Sequence, residues 1–107
     1  MFMGRSKYSN KRIEIDGKKF DSKKEYYRYL ELDLLRKAGI IKDLELQPRY
    51  PLVINGIKVS TYIADFRYID VQSGEKIVED TKGFKTVVYK LKKKLMLALH
   101  DITIQET

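Results

Sequence analysis

Acidic residues stand inside two of the most apolar stretches of this chain: Asp65 within Tyr62-Ile63-Ala64-Asp65-Phe66, and Glu79-Asp80 directly after Ile77-Val78. A charge in a buried strand is costly unless it is paired or bound to a metal. Side chains alternate along a strand, so Val78, Asp80 and Lys82 share one face, with Asp80 and Lys82 roughly 6 to 7 Å apart at about 3.3 Å per residue. Glu79 then points to the opposite face, as a surface or helix-pairing residue. If hairpin order makes the strand of Asp65 the neighbour of this one, two carboxylates converge and repel unless a divalent cation sits between them.

The rest of the chain surrounds these strands with a simple element order. Ser22 followed by Glu25 has the form of a capping box, and Tyr27, Leu30, Leu34 and Ala38 recur at helical spacing up to Gly39, which predicts a helix over Ser22 to Ala38. Strands are expected over Leu44 to Ile54, Ile57 to Asp70 and Lys76 to Lys82, with Asn55-Gly56 as a hairpin turn and Pro48 and Pro51 marking an edge or bulge. Thr86 caps a second helix to about Leu99, with Val88, Leu91, Leu95 and Leu99 on its buried side, and Ile102 to Gln105 closes as a short strand. Helix, three strands, helix, strand is an α/β fold with a mixed central sheet flanked by helices. Arg12 to Phe20 reads as a small hairpin around Asp16-Gly17, and residues 1–11 as a flexible basic arm preceding one domain over 12–107.

Composition removes several classes of chemistry. Without cysteine there are no disulfides, thiolate zinc sites or thiol nucleophiles, and a single histidine, His100, leaves no histidine-built metal cluster. Any metal is expected to have oxygen ligands, which points to magnesium or manganese. No window approaches the roughly 20 apolar residues of a membrane helix, and the start lacks the apolar run of a secretion signal, so a soluble, cytoplasmic protein is expected. The net charge of +7 is uneven: residues 1–24 hold eight basic against three acidic residues, and residues 82–94 hold six lysines and no acid. That distribution fits a polyanionic partner such as DNA.

Glu25 on the first helix, Ala64-Asp65-Phe66, and Glu79-Asp80-Thr81-Lys82-Gly83, in this element order, resemble the PD-(D/E)XK nuclease superfamily, and particularly its small phage-type endonucleases. The resemblance spans about Asp21 to Gln105, with Ala64 standing where the name-giving motif has proline. It implies a restriction-endonuclease-like core and a Mg2+- or Mn2+-dependent DNA endonuclease acting in phage or mobile-element replication, recombination or DNA processing. It also implies roles: Asp65, Asp80 and the Thr81 carbonyl on the metal, Glu25 binding it directly or through water, and Lys82 orienting or deprotonating the attacking water. Gln47 is assigned an accessory place near the site.

Lys90, Lys93 and Lys94 lie at helical spacing with Lys85 before the helix and Lys92 near them, and are read as sequence-independent phosphate contacts. Tyr27 is expected in the core, with Tyr8, Tyr26 and Tyr29 at the surface, and His100 at a helix end with no catalytic part. A non-catalytic DNA-binding module on the same scaffold, a Holliday-junction-type resolvase and a ribosomal-type RNA binder remain as alternatives. So small a domain holds one site, and cutting both strands calls for a homodimer or two visits.

Overall fold

The computed structural model describes residues 13–15 and 17–107. The arm expected over 1–11, with its Tyr8, lies outside the described residues, as do Arg12 and Asp16. Strands β1 (Ile13–Ile15) and β2 (Lys18–Phe20) pair antiparallel as the expected hairpin. Phe20 anchors that hairpin on the first helix, packing edge-on against Tyr26 and tilted against Tyr29 at ring separations of 5.4 and 5.1 Å.

Helix α1 spans Lys23–Lys37, with Ser22 extended as its cap. The Ser22 hydroxyl accepts the Glu25 N–H at 3.1 Å, while the Glu25 carboxylate accepts the N–H of Asp21, one residue ahead of the cap, at 3.4 Å. A four-stranded mixed sheet follows in the order β3 (Ile41–Leu46), β6 (Phe66–Asp70), β7 (Lys76–Asp80) and β8 (Gln105–Glu106). The first three run antiparallel, and β8 lies parallel to β7. Parallel neighbours need a crossover, supplied here by helix α2 (Val87–His100), capped by Thr86 as expected.

Between β3 and β6 the chain makes a separate two-stranded ribbon, β4 (Arg49–Ile54) and β5 (Ile57–Ile63). The long strands expected over Leu44 to Ile54 and Ile57 to Asp70 are each broken, at Gln47-Pro48 and at Ala64-Asp65. Pro48 has no N–H to donate, and Gln47 takes a φ of 52°. Across the break the Gln47 N–H donates to the Asp65 carbonyl at 2.9 Å and the Ala64 N–H to the Pro48 carbonyl at 3.1 Å. The two strands therefore bend together, with Asp65 at the bend. The strand expected to reach Lys82 stops at Asp80, and the closing strand lies at Gln105–Glu106 rather than over Ile102 to Gln105.

Each sheet face has its own core. Leu32 of α1 packs with Ile41, Phe66 and Tyr68 on one side; Tyr50, Leu52 and Tyr62 of the ribbon pack with Val78, Tyr89 and Met96 on the other. Both helices are rotated from the expected orientation. Tyr27, expected in the core, is 60% exposed, and Leu30 and Leu34 also face solvent. On α2, Val88, Leu91 and Leu99 face outward and Leu95 is half-buried, while Tyr89 and Met96 fill the core. Polar anchors account for this: Arg28 on α1 and Tyr89 on α2 carry long side chains that reach inward to fixed acids, Glu79 and Glu106.

Glu79 does pair with a helix, but it is completely buried rather than on the surface. Arg28 grips it with two hydrogen bonds, Nε at 2.6 Å and Nη2 at 2.9 Å, and the Tyr68 hydroxyl donates to it as well. Such a fork satisfies both carboxylate oxygens, and Glu79 in turn holds the Arg28 guanidinium above its ordinary pKa. Removing one partner of a buried pair strands a charge, at a cost of about 3–5 kcal/mol. Arg28→Ala is expected to lower unfolding free energy by about that amount in urea titration, with R28M/E79L recovering most of it.

Candidate active site

The bend and the end of β7 bring Asp65, Asp80 and Lys82 together. β6 and β7 are neighbours, as hairpin order implied, with Phe66 opposite Glu79. The Asp65 N–H donates both to the Glu79 carbonyl at 3.2 Å and to Asp80 Oδ1 at 3.0 Å. Asp65 Oδ2 accepts from the Thr81 N–H at 2.7 Å and from its hydroxyl at 2.9 Å. Thr81 thus fixes the orientation of the Asp65 carboxylate. Lys82, just past the strand, places Nζ 4.0 Å from Asp80 Oδ1 and 5.5 Å from the centre of the Tyr89 ring.

Asp65 and Lys82 line a cleft of about 260 Å³ together with Gln47, Lys19, Asp21 and Arg49. Gln47 is therefore beside the site, and its Nε2 donates to the Lys19 carbonyl at 3.4 Å. Lys19 and Arg49 were missed in the sequence. Neither belongs to a motif, and only the bend of the β4–β5 ribbon and the docking of the β1–β2 hairpin carry them to the cleft.

Glu25, one turn before Arg28, is buried at the start of α1, near enough to Asp65 to feel its charge. Burial, then the charges of Asp65 and Asp21, push its pKa up to about 8. Asp80 is wholly buried, and burial raises it to about 6 although Lys82 and the Asp65 N–H work against that. Its second oxygen, Oδ2, has no hydrogen-bond partner among the described residues. Alternation along β7 turns Asp80 away from Glu79 and hence away from the α1 side where Glu25 lies. Accordingly, no three acidic or histidine side chains among the described residues are drawn into one metal-holding group.

The donor set nevertheless suits a small hard cation. Magnesium usually takes one or two protein carboxylates and completes its shell with water and substrate phosphate. Asp65 and Asp80 supply two carboxylates, and Asp80 Oδ2 is a buried oxygen with no hydrogen-bond partner among the described residues. Glu25 lies beside Asp65 on the α1 side.

The lysines of α2 divide. Lys85 and Lys93 are tied to Glu106 at 3.1 and 3.2 Å, and the Tyr89 hydroxyl donates to the same acid at 2.8 Å. The Tyr89 hydroxyl and these two lysines hold Glu106 down at about 2. Lys92 donates to the Thr61 carbonyl at 3.2 Å. Lys90 and Lys94 have no acidic partner among the described residues, and with Lys85, Lys93 and Glu106 they border a hollow of about 450 Å³. His100 bonds the Pro51 carbonyl at 2.7 Å, a structural contact far from the carboxylates in the chain.

One protein family matches, over residues 5–105: "Protein of unknown function (DUF1064)". The chain belongs to that family. Nothing matches among curated proteins or among solved structures. The cleft lies within the matched span, so the family description leaves its chemistry to be read from its residues. None of the described helices is long and apolar enough to cross a membrane.

A carboxyl whose folded pKa lies above its unfolded value stabilises the fold at low pH and loses that contribution as pH rises. For Glu25 the window runs from 4.5 to about 8, and for Asp80 from 3.8 to about 6. In chelator, the melting temperature is expected to fall as pH rises from 4.5 to 8. Glu25→Gln is expected to flatten the upper half of that curve; an unchanged profile in scanning calorimetry would remove Glu25 from the cluster.

Proposed function

We propose that this chain is a divalent-metal-dependent endonuclease that hydrolyses DNA phosphodiester bonds. The observation that carries the reading is the convergence, at one end of the sheet, of Asp65 and Lys82, which line a cleft rimmed by Lys19 and Arg49, with Asp80 buried against them and its Oδ2 without a hydrogen-bond partner among the described residues. The fold supports it. Helix α1, the antiparallel strands β3, β6 and β7, helix α2 and the parallel β8 follow the order expected of a restriction-endonuclease-like core, with the β4–β5 ribbon as an insertion between the first two sheet strands.

In this mechanism Lys19 and Arg49 receive the phosphodiester by charge, and Lys82 orients the attacking water and offsets charge gathering on the phosphate. Asp65, held by Thr81, and Asp80 are the carboxylates that would hold Mg2+ or Mn2+, with Glu25 assisting through Asp65. A bound ion supplies Lewis-acid polarisation of the phosphate and a more acidic water. Attack forms a new P–O bond, the P–O3′ bond breaks, and the water proton ends on the 3′ oxygen, leaving a 5′-phosphate and a 3′-hydroxyl. Lys90 and Lys94 extend the basic surface toward flanking phosphates.

A second reading, a DNA-binding module without catalysis, has one observation in its favour: Asp80 is wholly buried and does not line the cleft. A panel of labelled linear, single-stranded, flapped and four-way DNA, incubated with magnesium, manganese or chelator, separates the two. Cleavage is expected with either metal and none in chelator. Asp80→Ala and Lys82→Ala should each abolish it while leaving DNA binding in chelator nearly unchanged; a wild-type rate in Asp80→Ala would sink the assignment.

Salt dependence tests the lysine surface. On duplex DNA the slope of log affinity against log salt steepens by about 0.9 for each phosphate that a protein neutralises. Neutralising Lys90 and Lys94 together is expected to flatten that slope by up to about 2, whereas Lys93→Gln should change it less because Glu106 already engages Lys93. Equal effects of all three would show that the Glu106 pairing does not persist in solution.

A further inference from the structure

The β4–β5 ribbon is braced at its base and bare at its tip. Near the sheet, Tyr50, Leu52 and Tyr62 are buried against α2, the Arg67 guanidinium donates to the Tyr50 hydroxyl at 3.0 Å, and Lys92 and His100 bond the Thr61 and Pro51 carbonyls. Beyond Leu52 a register shift interrupts the pairing, and every residue from Val53 to Val59 is exposed. The tip turns through Asn55 and Gly56, both at positive φ, as a tight hairpin requires. It presents Val53, Ile54, Ile57 and Val59, the last two 68% and 60% exposed. Among the described residues the ribbon pairs with no other strand.

Four β-branched apolar side chains on an isolated ribbon need an occupant, and charge selects among candidates. From Gln47 to Ala64 there is no acid, and the charged residues are Arg49 and Lys58. The ribbon is also continuous with the cleft, since Arg49 and Ile63 at its base line the same cavity as Asp65 and Lys82. A basic, acid-free ribbon with an apolar end, rooted at a phosphate-receiving cleft, has the composition of a wedge that enters DNA between base steps, with cations on the backbone and aliphatic groups against the base faces. We propose that the tip of the β4–β5 ribbon inserts at unstacked base steps and so directs the site toward DNA containing a branch or bulge, in preference to an intact duplex. Opening an intact step costs stacking energy, whereas at a branch or bulge that opening already exists.

This inference rests on the reading of the cleft as one that acts on DNA, and its test needs no cleavage. In chelator, the full chain is titrated against a three-way junction, a bulged duplex and an intact duplex of matched sequence, each with 2-aminopurine at the branch or the equivalent step. Wild type is expected to bind the junction and bulge at least tenfold more tightly than the intact duplex and to raise 2-aminopurine fluorescence as the base loses its stacking partners. Ile54→Ser/Ile57→Ser, at solvent-exposed positions, should bind intact duplex like wild type and lose both the preference and the fluorescence rise; Val59→Thr, which keeps the β-branched shape, should show the same loss in part. An undiminished preference in the double variant, or equal wild-type affinity for all three DNAs, would overturn the wedge and leave the nuclease reading standing. Failure of wild type to bind any of the DNAs would overturn both. A wild-type dimer that the double variant converts to monomer in sedimentation would assign the tip to a second copy of this chain and overturn the wedge as well.

Discussion

The grip of Arg28 on Glu79 sets the geometry of everything around the cleft. A completely buried carboxylate held by a two-pronged guanidinium permits little rotation of α1 and little sliding of β7. Glu25 lies one turn before Arg28, so the same grip brings its carboxyl into the neighbourhood of Asp65. Asp80 follows Glu79, so the same grip turns Asp80 to the other side of the sheet, toward Lys82 and α2. One ion pair thus positions two further acids on opposite faces, and Asp65 lies at the bend between them, its N–H bonded to Asp80.

The α2 side is organised by a second acid. Glu106, on the parallel strand β8, collects Tyr89, Lys85 and Lys93. Tyr89 in turn lies beneath Lys82, so the position of the cleft ammonium depends on a strand contributed from the far end of the described chain. The outcome is a division of labour among cations that composition alone presents as equivalent. Some lysines hold the fold together, Lys82 borders the carboxylates, and Lys90 and Lys94 are left to the surrounding solution.

Much of the frame was legible because local rules decide it. Ser22 and Thr86 cap the helices they were expected to cap, Asn55-Gly56 turns the hairpin, and Asp65 and Asp80 meet because consecutive strands paired. What local rules do not decide was misread. Apolar spacing on α1 and α2 suggested which face turns inward, but long polar side chains reaching buried acids set the rotation, and Tyr27, Val88 and Leu91 were left outside. Glu79 was correctly placed on the opposite face; its full burial depended on Arg28, whose partner lies 51 residues away in sequence. The broken strands follow from Pro48 and the left-handed Gln47, whose effect on sheet geometry becomes visible only when both strands of the hairpin are seen to bend. Lys19 and Arg49 were invisible for the same reason, since their place at the cleft is a product of that bend.

The backbone at Gln47 has a cost. A side-chain-bearing residue in the left-handed region is less stable there than glycine by roughly 1–2 kcal/mol, and asparagine would tolerate the conformation better. Glutamine holds the position, and its exposed amide reaches across the edge of the cleft to the carbonyl of Lys19. Substitution by glycine would relax the chain and remove that bridge between hairpin and bend in one step. Stability and cleft architecture therefore pull in opposite directions at this residue, and a version of the protein selected only for heat resistance would drift toward glycine here and loosen the entrance to the cleft.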